Sequence, residues 1–148
     1  MTIRRIVTGE VEGRSTIVHE GDAPHTWCDE IWTTTPTDSF GVDPGSSPAL
    51  PLEVPSGFTT FRLVSVPPDA VMRARLASGN TEGVDAEGFH TTRTVDYVYV
   101  LDGPVELVLD DARVVVQPGD CVVQRGTNHA WRNHGDQPIR LLAVMVGA

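Results

Sequence analysis

Short apolar runs separated by glycine, proline and acidic turn residues fill most of this chain. From residue 90 onward, apolar and polar positions alternate with a period of two, which is typical of half-buried strands. The pattern predicts one long strand over residues 90–101, followed by strands over residues 105–109, 113–117, 121–124, 129–133 and 140–146. Strands this short with turns this close predict an all-β fold, an antiparallel barrel or sandwich.

The first half of the chain carries weaker signals of the same kind. Glu12-Gly13 reads as a tight turn within a hairpin. Strands are predicted there over residues 3–7, 15–20, 30–35 and 59–66. Residues 72–76 suit either half a helical turn or a strand. No segment sustains a helical period for three turns, so we expect little helix.

Residues 36–55 are rich in proline, glycine and serine, which predicts a long loop over the surface or the barrel mouth. Long loops of this kind often act as lids. If this one closes over the barrel, Phe40 and Leu50 are the residues expected to cap the interior.

Length and composition narrow the function. The 148 residues predict a single domain over residues 1–148, and a net charge of −9 disfavours nucleic acid and membrane surfaces as partners. All eleven basic residues are arginine. Without lysine, the chain can build neither a PLP Schiff base nor a nucleotide-binding P-loop, so neither PLP nor a nucleotide is expected as cofactor.

The two cysteines, Cys28 and Cys121, fit no metal or redox spacing and are expected to be reduced thiols. The first residues lack the apolar stretch of a signal peptide, and no apolar run is long enough to span a bilayer. We therefore expect a cytoplasmic protein.

The candidate chemistry comes from strand parity, because side chains on a strand alternate between its two faces. A regular strand from residue 90 places His90, Thr92, Thr94 and Asp96 on one face, which ends in plain valines. That gradient is expected of a barrel interior with a polar mouth and an apolar floor.

A second polar strand repeats this arrangement, with His129, Trp131 and Asn133 on one face. If the two faces meet, they enclose one interior space. Its lining would consist of two imidazoles, a carboxylate, two hydroxyls, an amide and an indole. Tyr97 and Tyr99 fall on the outward face of the first strand.

The first of these strands resembles a motif of the cupin superfamily of small β-barrels, in its single-domain, conserved-barrel form. The family pattern is His-x-His, three or four residues, Glu, six residues, Gly. Here His90-x-Thr92, three residues, Asp96, six residues and Gly103 follow that spacing.

The second family motif is Gly, five residues, Pro-x-Gly-x-x-His, three residues, Asn. Gly119, Gly126, His129 and Asn133 match it, one residue short at the start. The resemblance covers residues 88–146. It implies a cupin-like antiparallel β-barrel, a jelly roll or double-stranded β-helix, preceded in residues 1–66 by extra N-terminal strands and the long loop.

The departures from the family pattern affect whether this site can bind a metal ion. Metal-binding cupins take His, His and Glu from the first motif and His from the second. Here Thr92 replaces one histidine and Asp96 shortens the carboxylate. His90, Asp96 and His129 still form the ligand set of a facial triad for Fe, Mn, Zn or Ni. The alternative is a former metal site that holds its ligand by hydrogen bonds alone.

Three functions remain open at this stage. The first is a lyase- or isomerase-like enzyme in which His90, Asp96 and His129 transfer protons and Thr92, Thr94, Trp131 and Asn133 bind an oxygenated small molecule. The second is an Fe- or Mn-dependent dioxygenase that uses the His-Asp-His set as ligands. The third is a non-catalytic module that binds or senses a small ligand. The resemblance also implies a homodimer, with which the outward tyrosines are compatible.

Overall fold

A computed structural model describes residues 3–38, 40, 51–79 and 81–148. Within them the chain forms ten strands and one helix, which occur in the following order: β1 (Arg4–Val11), β2 (Arg14–Asp22), β3 (Asp29–Thr34), β4 (Thr59–Val66), α1 (Asp69–Ala77), β5 (Thr94–Val100), β6 (Val105–Leu109), β7 (Arg113–Val116), β8 (Cys121–Arg125), β9 (His129–Arg132) and β10 (Ile139–Gly147).

The strands form two main antiparallel sheets and a separate hairpin. The larger sheet has the order β3-β4-β10-β5-β8, the smaller has the order β7-β6-β9, and β1 pairs only with β2. The neighbours in each sheet are antiparallel. The all-β expectation of an antiparallel barrel with extra N-terminal strands and little helix is therefore confirmed.

The predicted strand over residues 90–101 is wrong at its start. Strand β5 begins at Thr94, and His90 leaves the larger sheet to form an isolated bridge with His129. The two residues exchange both backbone hydrogen bonds, each of 3.0 Å. The backbone groups of His90 are therefore satisfied at the edge of the smaller sheet and not within the larger one.

Residues 72–76 are helical and belong to α1. The helix begins directly after Pro68, has Asp69 in its first turn and Arg75 in its last, and ends at Ser78. Proline before the first turn and these charges at the two ends suit a helix. No residue of α1 is buried, which explains why the sequence shows no clear helical stripe.

The core lies between the two sheets and is apolar at one end. Its fully buried centre includes Val100 and Val105, around which Leu107, Val116 and Leu141 pack. These residues form the apolar floor that strand parity predicts.

The lid hypothesis falls largely outside the structure, because residues 39 and 41–50 are not among those described. Phe40 itself is 90% exposed, so it does not cap the interior. Leu50 lies outside the described residues. Across the ranges that are described, the search found no helix of the length and apolarity needed to cross a bilayer.

Candidate functional site

A polar row crosses the inner face of the larger sheet, one residue from each strand. The register pairs neighbouring residues on adjacent strands, and every residue in the row is buried. From β3 to β8 the row consists of Thr33, Thr60, Met145, Asp96 and Gln124. Two residues further along the strands towards the floor, β5 and β10 present Val98 and Ala143. On β5 and β10 the interior therefore turns from polar to apolar within one row.

The two histidines meet at the seam between the sheets. His90 precedes β5 of the larger sheet and His129 opens β9 of the smaller one. Their ring centroids lie 4.3 Å apart at an interplanar angle of 54°. The backbone bridge described above fixes this approach, so the imidazole pair depends on both sheets.

The hydrogen bonds of His129 fix its tautomer. Its Nδ1 lies 2.9 Å from the carbonyl oxygen of Thr127, which can only accept, so Nδ1 carries the proton. The Gln124 amide also donates to that carbonyl, at 3.1 Å, and to the Thr127 hydroxyl. The Nε2 lone pair of His129 is consequently left available as a base or a ligand.

Asp96 is held by a short chain of hydroxyl groups. The Thr92 and Thr94 hydroxyls lie 2.8 Å apart, and the Thr94 side chain in turn hydrogen-bonds the Asp96 carboxyl group. One carboxyl oxygen, Asp96 Oδ1, is buried and has no hydrogen-bond partner, and the same holds for His90 Nδ1. Buried polar atoms without a partner are rare and mark places where a ligand or water belongs.

Burial shifts the ionisation of these groups in opposite directions. Desolvation raises the pKa of Asp96, against opposing effects of the Thr94 hydroxyl, His129 and Arg62. Desolvation, reinforced by the neighbouring His129, lowers the pKa of His90 to about 4. Desolvation also lowers the pKa of His129, although Thr127 and Asp96 oppose it. These opposite shifts bring the proton affinities of the carboxylate and the imidazoles closer together, so a proton can be shared among them.

The remaining predicted binding residues divide into two groups. Trp131 is half-buried, packs against the core and stands edge-on to His129, with ring centroids 6.3 Å apart. Asn133 lies beyond the end of β9 and takes no part in the cluster. Its amide donates to the carbonyls of Val66 and Gln137, so both of its donors support the loop before β10.

Sequence reasoning missed a buried ion pair in the neighbouring row. Arg62 and Glu30 are opposite each other on β4 and β3, and neither side chain is exposed. The Arg62 Nε lies 2.9 and 3.0 Å from the two carboxylate oxygens. Arg62 also lowers the pKa of Asp96 through its charge, which links the pair to the cluster. The parity of β4, in which Thr60 and Arg62 share a face, was the available signal.

The donors for a metal are present, but they do not form the expected centre. Within the described ranges, no three His, Cys, Asp or Glu side chains are grouped so as to hold one ion. Thr92, at the position of the family's second histidine, bonds Thr94 instead. The arrangement does not fit a three-ligand metal site, although the two unpartnered polar atoms fit a small polar ligand.

Part of the chain matches a known family model. Residues 78–145 match the family model described as the Cupin_2 cupin domain. This range includes all three residues of the imidazole and carboxylate cluster.

Two relatives come from fungal proteins. The Phomopsin biosynthesis cluster protein C' of Diaporthe leptostromiformis is 35% identical over 102 residues, which are 68% of this chain and 49% of that protein. A cupin-domain-containing oxidoreductase of Aspergillus ruber is 38% identical over 61 residues, which are 38% of this chain and 30% of that protein. The chain thus spans about half or less of the length of these relatives.

A similar solved structure is that of a Cupin 2 conserved barrel domain protein from Salinispora arenicola. The match has 24% identity and a TM-score of 0.45, and it covers 68% of this chain and 71% of that one.

Proposed function

We propose that the chain is a small-molecule enzyme that transfers protons inside the barrel, in part because residues 78–145 match the family model of the cupin domain. Its substrate is an oxygenated organic metabolite, and its reaction is an isomerisation, dehydration, decarboxylation or lactone opening. The supporting observation is that His129, with its tautomer fixed, lies near a buried carboxyl group whose Oδ1 has no partner.

His129 is the group best suited to take the proton. Its lowered pKa keeps it neutral at pH 7, with the Nε2 lone pair available. A C–H proton beside a substrate carbonyl moves to Nε2, and the electron pair of that bond moves onto the carbonyl oxygen. The Asp96 charge stabilises the imidazolium that forms. Return of the proton to a second carbon completes an isomerisation.

The neighbouring residues position the reacting groups. Thr92 and Thr94 orient the Asp96 carboxylate through the hydroxyl chain. His90 stays neutral and presents an unpartnered Nδ1, which can bond a substrate hydroxyl or carbonyl according to its tautomer. Trp131 offers a flat apolar surface to the substrate beside His129.

Proton abstraction can be tested without knowing the natural substrate. The protein is incubated in D2O with a panel of small ketones, β-keto acids and lactones, and exchange at the carbon next to the carbonyl is followed by NMR. We expect exchange with the wild-type protein and a loss of at least ~100-fold in Asp96→Asn and in His129→Gln, the scale of general acid–base catalysis. The exposed Thr91→Ser is the matched control. Equal exchange in all four proteins contradicts the proposal.

The second candidate function is metal-dependent oxidation, favoured by one observation: a relative that is 38% identical over 61 residues bears the name oxidoreductase. If His90, Asp96 and His129 reorganise around Fe or Mn, the untagged protein should contain metal in near-stoichiometric amount, measured by elemental mass spectrometry. His129→Ala should then lose it, and oxygen uptake should accompany turnover. No such metal in the wild-type protein would exclude this candidate.

The third function, a ligand-binding or sensor module, is distinguished by the same variants. It predicts a retained small molecule in native mass spectra, no exchange of substrate protons, and unchanged retention in Asp96→Asn. A cytoplasmic location and the lack of nucleic-acid and membrane partners stay predictions.

A further inference from the structure

The polar row on the inner face of the larger sheet contains a further buried oxygen without a partner, outside the imidazole and carboxylate cluster. Thr60 of β4 is fully buried, and its Oγ1 has no hydrogen-bond partner. The proton transfer proposed above does not use this hydroxyl. Because an unpaired buried hydroxyl destabilises the folded state, it marks a place where a ligand or a water belongs.

The strand register fixes where Thr60 lies relative to Asp96. Met145 of β10 is opposite Thr60 on one side and opposite Asp96 on the other, so the two residues lie in one row, two strands apart. At a strand spacing of ~4.8 Å, their Cα atoms are roughly 10 Å apart. Thr60 Oγ1 and Asp96 Oδ1 are both unpartnered. The row therefore has an unsatisfied oxygen on either side of Met145.

Met145 supplies an apolar surface between these two oxygens. It is buried, and its sulfur lies 3.6 Å from Arg62 Nη1. Arg62 belongs to the next row towards the floor, where it is opposite Ala143. Methionine is apolar and adapts its shape to the groups that pack against it. A hydrocarbon chain that crosses the row from Asp96 to Thr60 would therefore pack against Met145.

The charges around Thr60 favour an uncharged oxygen at this position. The cation on the same face of β4 is Arg62, and its Nε lies 2.9 and 3.0 Å from the two carboxylate oxygens of Glu30. Arg62 is therefore already neutralised and offers no net charge to a carboxylate of a ligand. Burying a charge without a partner is costly, whereas a carbonyl or hydroxyl oxygen can accept the Thr60 O–H without that cost.

We propose that Thr60 is a specificity-determining residue that binds a second, uncharged oxygen of the substrate. This oxygen lies about four or five bonds from the carbonyl that reacts beside Asp96 and His129, since a chain of that length and a hydrogen bond of ~2.8 Å cover the roughly 10 Å between the two positions. The inference rests on the proposed function, which places the reacting end at the cluster. It narrows the substrate class to diketones and hydroxyketones of this spacing.

Binding of matched ketones tests the role of Thr60 without any turnover. 2,6-Heptanedione has a second carbonyl at the required spacing, 2-heptanone lacks it, and 5-oxohexanoate has a carboxylate in its place. The Kd of each is measured by NMR chemical-shift titration. We expect the wild-type protein to bind the dione at least ~10-fold more tightly than 2-heptanone, the scale of one buried hydrogen bond. It should bind 5-oxohexanoate no more tightly than 2-heptanone.

Thr60→Val and Thr59→Val form a matched pair of variants. Thr59 precedes Thr60 on β4, is half-buried and lies on the opposite face of the strand. Thr60→Val should abolish the preference for the dione and raise the urea midpoint, because valine has nearly the same shape and removes the unpaired hydroxyl. Thr59→Val should keep the preference. A hydroxyl with a purely structural role would instead lower the urea midpoint when removed and leave the preference unchanged.

Several results would overturn the inference. They are equal binding of the dione and 2-heptanone by the wild-type protein, no binding of the dione, a preference that survives in Thr60→Val, and a preference lost equally in Thr59→Val. Tighter binding of 5-oxohexanoate than of the dione would overturn the uncharged character of the second group.

Proton exchange in D2O with the same ketones judges the proposed function separately. Exchange without a preference for the dione supports proton transfer and overturns the role of Thr60. A preference that Thr60→Val abolishes, found without any exchange, supports the role of Thr60 in binding and contradicts proton transfer.

Discussion

At the scale of single residues, the site depends on polar groups that burial leaves partly unsatisfied. Asp96, His90 and His129 are each shifted in pKa mainly by desolvation. Such groups destabilise the folded state, and proteins retain them where their chemistry is needed. The same atoms therefore destabilise the folded state and supply the candidate chemistry.

The lowered pKa of His90 predicts acid sensitivity. Between pH 6.5 and about 4 the unfolded chain binds a proton at His90 that the folded chain does not. The free energy of unfolding therefore falls as the pH drops through this range, by ~3 kcal/mol over the whole shift. His129 acts in the same direction. Urea unfolding at pH 7, 5.5 and 4.5 measures the loss.

His90→Gln is the control for this titration. It should flatten the pH dependence between pH 6.5 and 4 relative to the wild-type protein. The raised pKa of Asp96 has the opposite effect on stability. Its contribution to the free energy of unfolding falls as the pH rises from 3.8. Since both proteins contain Asp96, the difference between them isolates His90. Parallel stability curves would show that His90 titrates normally.

Residue types explain which parts of the site the sequence could predict. Thr94 and Asp96 sit on the inner face, as alternation in β5 indicates, because alternation reports burial directly. The prediction that Asn133 shares a strand face with His129 and Trp131 is wrong. Strand β9 ends at Arg132, and alternation between faces does not continue beyond a strand end. Glu30 and Arg62 were overlooked, because charged residues on a strand usually face water.

At the scale of elements, the buried ion pair joins β3 to β4 and predicts strong coupling. Glu30→Leu or Arg62→Met alone leaves a buried charge without its partner and should cost roughly 3–5 kcal/mol. The double variant Glu30→Leu with Arg62→Met should cost much less, because no charge remains. Urea unfolding of the double-mutant cycle checks this. Additive losses would mean that the two residues act independently.

Helix α1 is held at its N-terminal end rather than by an apolar face. The Asp69 carboxylate accepts the backbone N–H of Asn133 at 3.0 Å and lies 2.9 Å from His134 Nδ1. We expect amide hydrogen exchange in residues 71–77 to be faster than in β10, because no α1 side chain is buried. Asp69→Ala should accelerate it further. Protection in α1 equal to that of β10 would contradict this account.

At the scale of the whole molecule, the reactivity of the Cys28 thiol is expected to report unfolding. Cys28 is 2% exposed, and burial together with Glu30 raises the pKa of its thiol to about 12. In a Cys121→Ser variant, a thiol reagent should therefore label Cys28 only as fast as the molecule unfolds. The labelling rate is compared with the unfolding rate from tryptophan fluorescence. Faster labelling would reveal a local opening near β3.

The fold as a whole was predictable because turn residues recur at short intervals between residues 100 and 140. Gly103 and Gly119 both adopt positive φ, of 46° and 92°, at turns that the sequence marks with aspartate or proline neighbours. The pairing of β4 with β10 was not predictable, since the sequence carries no signal for contacts between strands so far apart.

The bridge between His90 and His129 makes the site sensitive to relative motion of the two sheets. His90 is hydrogen-bonded to β9 of the smaller sheet and is joined through residues 91–93 to β5 of the larger one, so a parting of the two sheets strains the bridge before either sheet melts. Warming or pressurising the protein should therefore broaden or move the imidazole NMR signals of both residues together, ahead of the backbone signals within β10 or β6. The two imidazoles would then be the first groups in the barrel to respond to its small opening motions.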